Sequence, residues 1–237
     1  MRRTLLLLST MMLALLLASG VAWAVNKVGT NGPDNFTGTN GDDNLIGNGG
    51  DDELVSLNGR DNLLGGPGRD CLLCFDEKEF SSFRGDKNLL GGPGNDFLWA
   101  GKGADIVLGG EGNDHLDDDQ GRELSQDIFS AGPGNDVIDV AQYRSAGGDL
   151  VQCGSGFDWV LAEKTDVVAP DCEKVVVFRG GTHSDFVRFY KSFYNDVVPD
   201  DFFKGMPPCH CRIFEYPCSQ PADIGQLPIS GILRTTP

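Results

Sequence analysis

Apolar positions are sparse along this chain and evenly placed. Phe36, Leu45, Leu54, Leu63 and Leu72 recur every nine residues. Each follows by two an aspartate, Asp34, Asp43, Asp52, Asp61 or Asp70, and by four a glycine, Gly32, Gly41, Gly50, Gly59 or Gly68. After an interruption at 74–81 the phase resumes with Gly85 and Leu89, but with Lys87 at the aspartate position. Asp96, Asp105 and Asp114 follow, with Leu98, Val107 and Leu116 in the apolar slot. Four extra residues, 118–121, precede a weaker copy with Ser125, Asp127 and Phe129. Asp136 with Ile138 is a strong copy, and a second four-residue insertion, 140–143, leads to Asp149 with Val151 and Asp158 with Val160. Thirteen copies result, twelve of them carrying Asp.

One apolar residue in nine is too sparse for a helix face, and glycine inside a helix costs about 1 kcal/mol at each position. The pattern predicts strands of three or four residues centred on the apolar slot, alternating with tight Gly-rich turns. Pro67, Pro93 and Pro133 fix φ in three of those turns. Single units bury nothing, so they must stack as a solenoid whose apolar side chains line a narrow core. Beyond about residue 178 the repeat stops. Phe186, Phe189, Tyr190, Phe193, Tyr194 and Val197 then follow at three- and four-residue steps, the signature of a short amphipathic helix. It is expected to cap the open end of the solenoid, a partner-binding helix being the sharper alternative. Residues 199–237 are Pro-rich and aperiodic and read as loop or disordered.

The best copies, Gly65-Gly66-Pro67-Gly68-Arg69-Asp70, Gly91-Gly92-Pro93-Gly94-Asn95-Asp96 and Ala131-Gly132-Pro133-Gly134-Asn135-Asp136, resemble the RTX, or haemolysin-type, calcium-binding nonapeptide. The resemblance covers about residues 29–161. The stretch from Val151 to Asp158, continuing to Asp171-Cys172-Glu173, is similar to the closing part of secreted calcium-binding proteins of this type. It implies an all-β chain, a right-handed parallel β-roll solenoid with two nonapeptides per coil and a short helical C-terminal cap. The expected division is a signal peptide at 1–24, the β-roll at 25–178 and the cap and tail at 179–237. It also implies that the turns hold Ca²⁺ through the Asp carboxylate and backbone carbonyls.

Two copies per coil stack residues 18 apart at about 4.8 Å. One edge then carries Asp34, Asp52, Asp70, Asp96, Asp114, Asp136 and Asp158, and the other Asp43, Asp61, Lys87, Asp105, Asp127 and Asp149. Like charges that close repel by roughly 1 kcal/mol in water and by several times that at a protein surface. Cations between the rungs are therefore expected, with the twelve aspartates as ligands. Oxygen-only turns without Cys or His favour Ca²⁺ over Zn²⁺, Mg²⁺ demands a tighter octahedron, and no EF-hand loop is present. Lys87 reads as a built-in counter-ion between Asp61 and Asp105, leaving that rung without calcium. A core this thin suggests folding coupled to ion binding, with affinity on the order of 10⁻⁴–10⁻³ M.

Charge sharpens this picture. Acidic residues outnumber basic ones 35 to 19, for a formal net charge of −16. That balance argues against nucleic acid or anionic membrane as partner and for cations. Arg2 and Arg3, the apolar run Leu5–Leu17 and Ala22-Trp23-Ala24 form a secretory signal pattern, the run being too short for a typical span. Seven cysteines in an exported chain imply disulfides, with at least one thiol left over. Cys153 and Cys172, 19 apart, are about one coil apart and suit a disulfide. Cys71 and Cys74, with Cys209, His210, Cys211 and Cys218 in the tail, read as disulfide partners rather than a zinc site. No His-Glu-x-x-His or Gly-x-Ser-x-Gly occurs. Of the three histidines His115, His183 and His210, the one beside Asp114 reads as an exposed surface residue, so catalysis is not expected. The alternatives to a free-standing secreted calcium binder are a cell-surface adhesion or matrix module that calcium stiffens and, behind it, a non-catalytic part of a secreted hydrolase system.

Overall fold

The computed structural model describes residues 24–74, 86–118, 125–142, 147–199 and 202–207. Residues 1–23 of the expected signal peptide, most of the first two insertions, residue 143 of the third and the tail with Cys209, His210, Cys211 and Cys218 lie outside the described residues. In chain order the strands are β1 (Asn26–Val28), β2 (Asn35–Thr37), β3 (Asn44–Ile46), β4 (Glu53–Ser56), β5 (Asn62–Leu64), β6 (Cys71–Cys74), β7 (Asn88–Pro93) and β8 (Phe97–Trp99). They continue with β9 (Ile106–Glu111), β10 (His115–Asp117), β11 (Ile128–Pro133), β12 (Val137–Asp139), β13 (Leu150–Ser155), β14 (Trp159–Glu163), β15 (Val167–Val168) and β16 (Lys174–Phe178). The helix α1 (His183–Ser192), a π-helical turn (Phe193–Val197) and a 3₁₀ turn (Phe202–Gly205) follow.

Odd-numbered strands form one eight-stranded sheet and even-numbered strands the other. Every pairing is parallel, which makes a β-solenoid of about seven turns. The register follows the sequence period. Leu45 pairs with Leu63 and Leu54 with Leu72, one coil of 18 residues apart. The first insertion widens the step to 26 and the other two widen it to 22. Each insertion therefore falls in sequence between an even strand and the next odd one.

The apolar slots point inward. Leu45, Leu54, Leu63, Leu72, Leu89, Leu98, Val107, Leu116, Phe129, Ile138, Val151 and Val160 make a single file of buried side chains, supplemented by Cys74, Ala100, Ala131, Val140, Cys153 and Ala162. The Cys153–Cys172 disulfide forms, with Cα atoms 5.2 Å apart, and ties the last coils together. Cys71 is also disulfide-bonded, whereas Cys74 is a free thiol facing the core, where burial pushes its pKa up to about 12. The outer face of the first sheet carries an amide ladder. Asn44, Asn62 and Asn88 each donate a side-chain N–H to the side chain one coil earlier, at 2.6–2.7 Å.

The C-terminal segment corrects two expectations. Thr182 and Asp185 form a capping box that starts α1. Phe186, Tyr190, Phe193 and Tyr194 then bury against Val137, Leu161 and Phe178. The segment thus lies against the outward face of β12, β14 and β16 rather than across the open end. The register of the even strands sets Phe97, His115, Val137 and Trp159 in one outward row, a half-apolar surface that needs cover. His115 is consequently fully buried, not exposed. Its ring lies within 6.5 Å of those of Phe97, Tyr194, Phe202 and Phe203, and its Nε2 is 3.2 Å from the Tyr194 hydroxyl. That hydroxyl donates to Asp139 Oδ2 at 2.9 Å, and burial raises the pKa of Asp139 to about 7.

Candidate metal centre

A tight turn between short parallel strands needs glycine where coils nearly touch. At Gly110, φ is +128°, and a Cβ there would stand 2.0 Å from the Gly92 carbonyl oxygen one coil earlier. No L side chain fits that position. The aspartate that closes each turn is held by the backbone of the preceding coil. On the first edge Oδ1 of Asp52, Asp70, Asp96, Asp114, Asp136 and Asp158 accepts the N–H of Asp34, Asp52, Asp70, Asp96, Asp114 and Asp136 respectively, at 2.8–2.9 Å. The six residues from Asp52 to Asp158 are buried. Glu173 ends the column, accepting the Asp158 N–H at 2.9 Å.

The second oxygen of each carboxylate defines the site. Oδ2 of Asp52, Asp70, Asp96, Asp114, Asp136 and Asp158 is buried without a hydrogen-bond partner. Buried charged oxygens left this way are costly, and native folds rarely tolerate a row of them. The first residue of the turns closed by Asp34, Asp52, Asp70, Asp96 and Asp114, respectively Gly29, Gly47, Gly65, Gly91 and Gly109, leaves the space in front of that oxygen open, whereas Ala131 and Cys153 hold this position before Asp136 and Asp158. A Cβ at these glycines would stand 2.1–2.5 Å from the Oδ2 of Asp34, Asp52, Asp70, Asp96 or Asp114. At Gly47 and Gly109 the same point lies 2.7 Å from a carbonyl oxygen of the next coil, that of Gly65 or Ala131. A carboxylate oxygen and a backbone carbonyl thus converge between adjacent rungs. The donor set is oxygen alone, and it fits a hard divalent cation such as Ca²⁺.

Electrostatics within the column point the same way. Burial raises Asp70 to about 7, Asp96 to about 9, Asp114 to about 7 and Asp136 to about 8, against the lowering effect of the backbone N–H that each accepts. Neighbouring carboxylates push Asp70, Asp96 and Asp136 further in the same direction. A metal cation in the column would meet the same excess of negative charge that raises these proton affinities.

The second edge holds its predicted residues in register but differs in build. Asp43, Asp61, Asp105, Asp127 and Asp149 accept from Val25, Asp43, Lys87, Asp105 and Asp127 at 2.7–2.9 Å, and Asp166 accepts from Asp149 at 3.2 Å. Lys87 has no acceptor to offer, so the ladder breaks between Asp61 and Lys87. Its side chain is buried, its Nζ lies 3.4 Å from the Lys102 carbonyl, and its charge opposes the burial that lifts Asp61 to about 6. Past Gly38, the turn position that holds glycine on the first edge as far as Gly109 is held by Ser56, Cys74, Ala100, Asp118 and Val140. Each carries a Cβ into the cradle. Glu173 and Asp166 escape the nine-residue pattern because the closing coils are short: Trp159 pairs with Lys174 and Leu150 with Val167.

A family model described as the RTX calcium-binding nonapeptide repeat matches residues 28–63 and 85–116, in four copies. No curated protein and no solved structure matches the chain. Among the described residues no helix is long and apolar enough to cross a membrane.

Proposed function

From the premise that this chain carries RTX calcium-binding nonapeptide repeats, we propose that it is a secreted, non-catalytic calcium binder. Its ions sit between the rungs of the first edge, held by Asp34, Asp52, Asp70, Asp96, Asp114, Asp136 and Asp158 with turn carbonyls, and their binding drives folding. The single observation that carries this reading is the file of buried, unpartnered Oδ2 atoms, which face glycine-lined gaps from Asp52 to Asp114. On the second edge Asp43, Asp61, Asp105, Asp127 and Asp149 are the weaker ligands, because the glycine cradle ends after Gly38, whereas on the first edge it runs to Gly109, and because Lys87 neutralises one rung. His115 is committed to packing under the C-terminal aromatic rings, which supports a non-catalytic reading.

Titration calorimetry on the full chain tests the proposal. The parent is expected to take several Ca²⁺ ions. Lys87→Asp, which restores the missing carboxylate, is expected to take at least one more. No calcium heat at all would contradict the binder, and equal stoichiometry in the two chains would contradict the role given to Lys87.

A second reading, a calcium-stiffened adhesion or matrix module, draws on the outer face of the first sheet. Val28, Leu64, Leu90, Ile106 and Ile128 are exposed there, an unusual run of large apolar side chains for one surface. Retention of the protein on cell-surface material in Ca²⁺ but not in EDTA is the result this reading requires, and indifference to both rejects it.

A further inference from the structure

Asp118 departs from the repeat. It occupies the turn position whose neighbours along the solenoid are Ala100 and Val140, both core residues, so its carboxylate enters the interior at the second edge. There it meets Asp127 and Asp149. One oxygen from each of the three lies within 4.8 Å of the others, and all three residues are buried. A fourth polar group adjoins them. Gln142 is 1% exposed and donates its Nε2 to Asp118 Oδ2, while its Oε1 is buried with no hydrogen-bond partner.

We propose that Asp118, Asp127, Asp149 and Gln142 form a separate divalent-cation site made of side-chain oxygens, selective for Ca²⁺. Three carboxylate oxygens within 4.8 Å of one another in buried surroundings present a ready anionic ligand set, on which a divalent cation relieves the mutual repulsion. The orphaned amide oxygen completes a cage that otherwise leaves a polar atom unsatisfied. Nitrogen and sulfur donors are missing from the set, which disfavours Zn²⁺, and four protein oxygens on flexible side chains suit the loose coordination sphere of Ca²⁺ better than the octahedron of Mg²⁺. The site solves locally the problem of the second edge: where the glycine turn is lost, side chains replace backbone carbonyls. It shares Asp127 and Asp149 with the repeat but requires none of the first-edge ions.

The test counts bound Ca²⁺ and its affinities on the full-length chain for the parent, Asp118→Asn, Gln142→Leu and the first-edge variant Asp114→Asn. Asp118→Asn is expected to lose one ion, and Gln142→Leu to weaken one ion by about tenfold or more. Asp114→Asn should keep that ion and lose a different one. Unchanged number and affinity in both Asp118→Asn and Gln142→Leu overturns the site; if Asp118→Asn does not fold, Gln142→Leu decides by the same criterion. A parent that binds only one ion, lost in Asp118→Asn and kept in Asp114→Asn, upholds this site while rejecting the first-edge proposal. Ions lost only in Asp114→Asn do the reverse.

Discussion

In excess EDTA at pH 8 the chain loses most of its far-UV β signal, and added Ca²⁺ restores it cooperatively with a midpoint on the order of 10⁻⁴–10⁻³ M. Two features of the solenoid demand this. Its interior is a single file of side chains from Leu45 to Val160, with little apolar area to set against the ordering of so many glycines. Its first edge stacks carboxylates that burial and mutual repulsion both disfavour. An ion that binds the folded coil and not the unfolded chain contributes about 2.7 kcal/mol for each site at a hundredfold excess over its Kd, and several sites add. Trp159, packed against Phe157 and Phe202, supplies a fluorescence signal for the same transition. A β spectrum unchanged by chelator would refute coupling.

Without metal, acid should rescue the fold. The folded-state pKa values of Asp61, Asp70, Asp96, Asp114 and Asp136 lie at about 6, 7, 9, 7 and 8, above the ordinary carboxylate value near 3.8. A carboxyl whose pKa rises on folding stabilises the folded state fully below its unfolded pKa, and that contribution is lost as pH climbs through the folded value. In EDTA, compact β structure should therefore be most populated near pH 4 and disappear between about pH 6 and 9. In saturating Ca²⁺ the dependence inverts, because protons compete with the ion and acid weakens its binding. Asp96→Asn removes the most strongly shifted carboxylate and should stabilise the EDTA form at pH 8 by about 1–3 kcal/mol while costing calcium affinity. A pH series of far-UV spectra in EDTA checks the sign, and a metal-free chain most structured at pH 8–9 would contradict the account.

The period was legible because a solenoid converts sequence spacing directly into contact. Gly-x-Asp-x-apolar fixes which residue stacks on which, so even the phase jumps at the insertions foretell the register across them, as between Asp70 and Asp96 or Asp136 and Asp158. The spacing of Cys153 and Cys172 conveyed their disulfide for the same reason. What stayed hidden is non-local or off-period. The outward position of His115 follows from alternation, but its burial depends on a helix nearly eighty residues later, and no local pattern shows which face that helix covers. Asp166 and Glu173 end the ladders from coils shorter than the repeat. The difference between the edges lies in one turn position, glycine at Gly47 and Gly65 but Ser56 and Cys74 across the roll, and it emerges only when alternate copies are compared as columns.

Anomalous diffraction from crystals grown in Ca²⁺, or with a lanthanide in its place, tests the central claim most directly. The account predicts a row of peaks about 4.8 Å apart along the first edge, each between the carboxylate of one rung and a turn carbonyl of the next, from Asp34 to Asp158. A folded solenoid whose first edge shows no peaks, with Asp52, Asp70, Asp96 and Asp114 contacting only protein and water, would contradict it.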